Sequence, residues 1–140
     1  MVDLLHRMAA ARLSTSPRAT PFACGIVNVK GGGCSEDCAF CAQSARHAAP
    51  ATTPPGGGDP DDDELLRRAE SMHAAGLAYM GLVATGRGPT TRELDRYCAV
   101  AERLASRVDI RLCASLGVLT AGEAARTWAA GSVAADGVEA

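Results

Sequence analysis

The chain has 140 residues, 47% of them hydrophobic and 21% charged, with a formal net charge of -2 at neutral pH. That is one domain's worth of sequence with apolar content enough for a core, and with no lysine/arginine cluster to call for nucleic acid or an anionic membrane surface. No apolar run approaches the ~20 residues of a membrane span. The spacing of the six cysteines reads as intracellular metal chemistry and not as a disulfide framework, so a cytoplasmic protein is expected.

Residues 1–21 predict a helix and a connector. Arg7, Arg12 and Arg18 among alanines and serines faintly suggest a transit peptide, but Asp3 and the stripe Leu4, Leu5, Met8 argue for an ordinary amphipathic helix. Phe22 to Val29 is a short apolar run ahead of a glycine cluster and predicts the first strand. Residues 30–47 form a loop carrying Gly31-Gly32-Gly33 and then Cys34, Cys38 and Cys41. Residues 50–60, rich in proline and glycine, predict an exposed, mobile connection. Asp59 and Pro60, followed by an acidic run, predict a helix start with Asp59 as its capping side chain, Leu65, Leu66, Ala69 and Met72 as its buried face, and Gly76 as its end. Leu77 to Ala84 predicts a second strand. Thr90 and Glu93 form a capping box for a helix that buries Leu94, Tyr97, Cys98, Ala101 and Leu104. Val108 to Ser115 predicts a third strand. Thr120 and Glu123 form another capping box, for a helix packing through Ala121, Ala124, Ala125 and Trp128 and closed by Gly131. Strands alternating with helices imply a parallel sheet whose functional groups gather at the carboxyl ends of the strands.

The chemistry sits in Cys34-Ser35-Glu36-Asp37-Cys38-Ala39-Phe40-Cys41. Three cysteines at C-x3-C-x2-C spacing suit an iron-sulfur cluster with one open iron. A zinc site normally closes with four ligands, and His47 is the only nearby fourth candidate; a disulfide or plain core cysteines are the remaining readings. His6, His47 and His73 have no spacing that pairs them with a cysteine for nucleophilic catalysis.

Residues 24–45, CGIVNVKGGGCSEDCAFCAQSA, resemble the cluster-binding segment of the biotin synthases, which are radical S-adenosylmethionine (SAM) enzymes. The three cysteines mark the superfamily. Asn28, Lys30, Gly33, Ser35-Glu36-Asp37 and Ala42-Gln43-Ser44 narrow it to this family. The resemblance continues through Gly86-Arg87-Gly88-Pro89 and Cys113-Ala114-Ser115-Leu116-Gly117, covering about residues 22–131. It implies an α/β fold, the first three βα units or so of a radical SAM (β/α) TIM-type barrel. It also implies a 4Fe-4S cluster on Cys34, Cys38 and Cys41, with SAM chelated at the fourth iron. Phe40 would lie against the adenine, and Ala84, Thr85 and Gly86 against the methionyl end. The implied reaction converts dethiobiotin to biotin through a 5'-deoxyadenosyl radical, with sulfur drawn from an auxiliary 2Fe-2S cluster. A reducing donor such as flavodoxin or ferredoxin and a homodimer are implied as partners.

Two departures qualify the resemblance. Cys113 matches a third-strand ligand of the auxiliary cluster, but Gly81 stands where the second-strand cysteine belongs; Cys24, of inward parity on the first strand, is a candidate replacement. Residues 132–140 match nothing, so the chain reads as a truncated or frameshifted piece that is poorly active alone. Other biotin-synthase-like radical SAM enzymes, of the methylornithine synthase or hydrogenase maturase type, accommodate Gly81 more easily. A non-catalytic metal-binding module would use the cysteine loop alone.

Overall fold

A computed structural model of the chain describes residues 23–46 and 59–135. The expected amino-terminal helix with His6, Phe22, most of the proline- and glycine-rich stretch, His47 and residues 136–140 lie outside the described residues. The elements alternate as their sequence patterns require: β1 (Cys24–Lys30), α1 (Asp62–Ala74), β2 (Tyr79–Ala84), α2 (Thr91–Arg107), β3 (Arg111–Ser115), α3 (Ala121–Ala129) and β4 (Ser132–Ala135). All four strands run parallel, and their order in the sheet is their order in the chain. The short β4, on residues expected to be an unmatched tail, adds a fourth strand to the three anticipated. Among the described residues the sheet ends at β1 and β4 without closing on itself.

The pleat separates the sheet into two unlike faces. Val27 and Val29 of β1, Met80 and Leu82 of β2, and Leu112 and Ala114 of β3 are buried in one core with Leu65 and Ala69 of α1 and Leu94, Tyr97, Cys98, Val100, Ala101 and Leu104 of α2. Cys98 is thus a small apolar core residue, as expected, and burial pushes its thiol pKa up. Of the alternate positions, Ile26, Asn28, Tyr79, Val83, Arg111, Cys113 and Ser115 are partly or fully exposed, while Gly81 is buried. The Arg111 guanidinium stacks over the ring of its cross-strand neighbour Tyr79, 4.1 Å from the centroid.

Helix ends follow local chemistry, with one correction. Both predicted capping boxes form: Thr90 with Glu93 on α2 and Thr120 with Glu123 on α3. The cap of α1, however, is Asp61 and not Asp59; the Asp61 side chain accepts from the Glu64 N–H at 2.7 Å. Asp59 is occupied elsewhere, accepting from the backbone N–H of Gly31. At its other end α1 closes through Gly76, at φ +79°, with Gly76 N–H donating to His73 O and Leu77 N–H to Met72 O. Leu77 serves that closure, and β2 accordingly begins at Tyr79, two residues later than its apolar run suggests. Likewise Val108 caps α2, its N–H donating to Leu104 O, so β3 begins at Arg111.

The packing face of α3 also differs from expectation. Thr127 and Ala130 are buried and Ala124 is partly buried, whereas Ala121 and Ala125 are exposed and Trp128 is 63% exposed. The Thr127 hydroxyl donates to Ala124 O at 2.8 Å, which removes the penalty of burying it. Small residues let α3 lie close; a Cβ at Gly131 would come within 3.0 Å of Ala105 Cβ. Trp128, next to buried Thr127 in the chain, faces outward.

Gly25 sits on the core face of β1, where a Cβ would stand 2.5 Å from Met72 Sδ and 2.9 Å from Leu77 Cδ2. Gly25→Leu should therefore overpack the seam between β1 and α1 and destabilise the fold by about 1–3 kcal/mol, read as a lowered denaturation midpoint. An unchanged midpoint would show that Met72 and Leu77 move aside freely.

Candidate metal centre

The cysteine loop leaves the sheet at the carboxyl end of β1. Pairing between β1 and β2 shifts register between Asn28 and Lys30, a bulge that turns the chain out of the ladder. Thr85, just past β2, holds this exit from two sides: its N–H donates to Lys30 O at 3.1 Å and its hydroxyl to Gly32 O at 3.1 Å. The Lys30 ammonium meets the Glu93 carboxylate at 2.7 Å, tying the end of β1 to the first turn of α2. Gly32 and Gly33 take positive φ values of 69° and 59°, which bend the chain back toward the sheet edge.

The loop then closes on itself. Cys34 N–H donates to Gln43 O at 3.0 Å and Ala45 N–H to Cys34 O at 2.8 Å, a short parallel bridge that sets Cys34 against Ser44. Ser44 is buried beneath it. Between these anchors Cys41 N–H donates to Cys38 O at 3.0 Å, so the last two cysteines are joined by a tight turn. All three thiols are free; Cys34 and Cys41 are partly buried and Cys38 is exposed.

Beside the loop a cleft of about 510 Å³ opens at the carboxyl ends of β2 and β3. Glu36 and Cys38 line it from the loop, Val83, Ala84, Gly86 and Arg87 from β2 and its exit, and Ser115, Gly117 and Val118 from β3 and its exit. Val118 N–H donates to Arg87 O at 2.7 Å, which clamps the two exits together. The wall is thus mostly apolar, with a thiol, a carboxylate and a guanidinium among its lining. That combination suits a small ligand carrying charges of both signs.

The structure brings some of the expected site residues together and leaves others apart. Cys38, Ala84 and Gly86 share the cleft. Thr85 is directed by its two bonds toward the glycine triplet. Phe40 is 95% exposed, so packing within the loop does not account for it. Cys113 lies in register beside Gly81, which in turn pairs with Ile26; Cys24 is level with Tyr79, one pleat repeat nearer the amino ends on the same open face. A Cβ at Gly81 would meet only ordinary contacts, 3.6 Å from Gly25 O and 3.7 Å from Ile26 Cγ1, so space does not dictate glycine there.

In kind the donors fit an iron-sulfur cluster: three uncombined thiols on one loop, at the sheet edge where such a group would meet the cleft. Among the described residues no three histidine, cysteine, aspartate or glutamate side chains converge closely enough to hold a single ion. The ligand set is present in place but not gathered. The loop is held by residues whose sequence context pointed to other roles: Glu93 through Lys30, Asp59 and Gln43. The capping-box position of Glu93 and the acidic run after Asp59 advertised local roles only, and neither pattern carries a signal for these longer-range bonds.

No protein-family model matches the chain. It is similar to curated biotin synthases: 47% identical to that of Nitratidesulfovibrio vulgaris strain Miyazaki F over 87% of this chain and 33% of the relative. Against the biotin synthase of Heliobacterium modesticaldum the identity is 44% over 77% of this chain and 32% of the relative. Against that of Thermus thermophilus it is 42% over 76% and 31%. The chain spans about a third of the length of these relatives. Among the described residues no helix is long and apolar enough to cross a membrane.

The Lys30 ammonium, followed by the Thr90 N–H and hydroxyl, holds the Glu93 carboxyl down at about 2, from an ordinary value of 4.5. A depressed carboxylate contributes stability that is present above its unfolded value and lost as pH falls through its folded one. Glu93→Gln should therefore cost about 1 kcal/mol at neutral pH for this partly exposed group. That deficit should shrink as pH falls from about 4.5 to about 2, as measured by chemical denaturation of both proteins across the range. A deficit independent of pH would assign the effect to packing.

Proposed function

We infer, for a chain that resembles the biotin synthases over most of its length, that it belongs with the radical SAM enzymes and that Cys34, Cys38 and Cys41 hold a 4Fe-4S cluster. The observation that carries this reading is three free thiols on the loop leaving β1, one of them lining the cleft at the ends of β2 and β3. When bound, the cluster and SAM together supply one-electron cleavage of a sulfonium and a radical able to abstract unactivated hydrogen. The protein's own residues bind, orient and shield.

Cys34, Cys38 and Cys41 act as thiolate ligands, and the Cys34–Gln43–Ala45 bridge fixes where the first of them starts. Phe40, exposed beside them, offers its ring face to the adenine of SAM. The backbone of Ala84 and Gly86 meets the methionyl end in the cleft, while Thr85 keeps the loop against it. Arg87 and Glu36 give that cleft charges of both signs, and Val83 and Val118 keep part of its wall dry. Dethiobiotin is the substrate of this reading and biotin the product. A reductant of the flavodoxin or ferredoxin kind delivers the electron, and the full-length protein works as a homodimer. Cys113, with Cys24 as a candidate partner, ligates an auxiliary 2Fe-2S cluster on the open face of the sheet.

Gly81, in register beside Cys113, favours a second reading: a biotin-synthase-like enzyme of the methylornithine synthase or hydrogenase maturase type, many of which dispense with a ligand there. Anaerobic reconstitution of the full chain with iron and sulfide separates these ideas. A brown protein with one 4Fe-4S cluster is expected, and alanine at Cys34, Cys38 or Cys41 should abolish it. With SAM and a strong reductant a full-length relative should release 5'-deoxyadenosine, increased by dethiobiotin, and this chain alone only weakly. Iron and sulfide counts that fall further in Cys113→Ala and Cys24→Ala would support the auxiliary cluster; unchanged counts would remove it and favour the second reading. A colourless protein that takes up no iron would overturn both.

A further inference from the structure

We propose that Asp59 and Gln43 are positioning residues for the cysteine loop, fixing the glycine triplet so that Cys34 is presented for metal binding before any cluster arrives. The proposal rests on the reading that the three thiols bind a cluster, and extends it to groups outside the cysteine motif. Asp59 is the residue whose sequence context marks it as a helix cap, and the structure gives it a different partner: its Oδ1 accepts from Gly31 N–H at 3.0 Å. Gln43 Oε1 accepts from the next N–H in line, that of Gly32, at 3.1 Å. Two successive donors of the most flexible segment of the loop are thus held by two separate acceptors, one 28 residues and the other 11 residues away in sequence.

The physical consequence follows from backbone entropy. Three consecutive glycines lose more conformational freedom on ordering than any other triplet. If that ordering had to accompany cluster binding, it would be subtracted from the affinity. Asp59, Gln43 and the Thr85 hydroxyl, which takes the Gly32 carbonyl, order it in advance, as preorganisation does for other ligands. Asp59 immediately precedes the Pro60–Asp61 entry to α1, and the Pro60 carbonyl accepts from Arg96 of α2 at 2.6 Å. The loop entry is thereby referred to two helices of the core and not merely to its own turns.

The test uses the full chain, reconstituted anaerobically with iron and sulfide, with loss of cluster absorbance to an iron chelator as the readout. Asp59→Ala should release the cluster roughly tenfold faster than wild type, the low end of the effect usual for groups that support metal ligands without binding the metal. Asp59→Asn, which keeps an amide oxygen able to accept from Gly31, should remain within about twofold of wild type. Gln43→Leu and Gln43→Glu form an independent pair with the same logic, so a failure of Asp59→Ala to fold leaves the question decidable. Thermal melting of the cluster-free proteins separates positioning from general stability: matched melting with faster cluster loss supports the proposal. Equal release rates for wild type, Asp59→Ala and Gln43→Leu would overturn it while leaving the cluster reading intact. A wild-type chain that binds no cluster would overturn both.

Discussion

Burial of one face of a parallel sheet is the constraint from which the rest of this structure follows. Val27, Val29, Met80, Leu82, Leu112 and Ala114 bury their side chains beneath α1 and α2. Because side chains alternate across a strand, this commits Ile26, Asn28, Tyr79, Val83, Arg111, Cys113 and Ser115 to the other side. Parallel pairing also brings the three carboxyl ends to a single edge, so the segments that leave β1, β2 and β3 are neighbours although they lie far apart in the chain. The cysteine loop, the Thr85-Gly86-Arg87 turn and the Ser115–Val118 segment meet there for that reason alone.

What stands at that edge is a rigid frame carrying a less committed loop. The frame is specified by hydrogen bonds with identifiable donors: Thr85 to Lys30 and Gly32, Val118 to Arg87, Cys34 to Gln43. Within it, the thiols of Cys34, Cys38 and Cys41 have no disulfide to hold them and no convergent geometry of their own.

The opposite face of the sheet carries a different message. Gly81 leaves a gap in the row formed with Ile26 and Cys113, and a Cβ there would meet only ordinary contacts. In the next row toward the amino ends, the Tyr79 ring under the Arg111 guanidinium lies in register between β1 and β3, beside Cys24.

Much of the secondary structure was legible in the sequence because its determinants are local. A capping box needs residues three apart, a glycine helix end needs one position, and an apolar strand needs its own run of residues; each was readable without knowing the fold. The cysteine spacing and its flanks likewise carried the resemblance to the biotin synthases. Tertiary structure alone decided three things. Asp59 was withdrawn from capping because Gly31, brought near by the sheet, offered it a donor, and Asp61 took the cap instead. Trp128 faces outward because α3 turns its Thr127 and Ala130 side toward the core. Ser132–Ala135 became a strand because β3 presented an edge to pair with. Each outcome depends on a partner distant in the chain, and no short-range pattern of residues carries the position of such a partner.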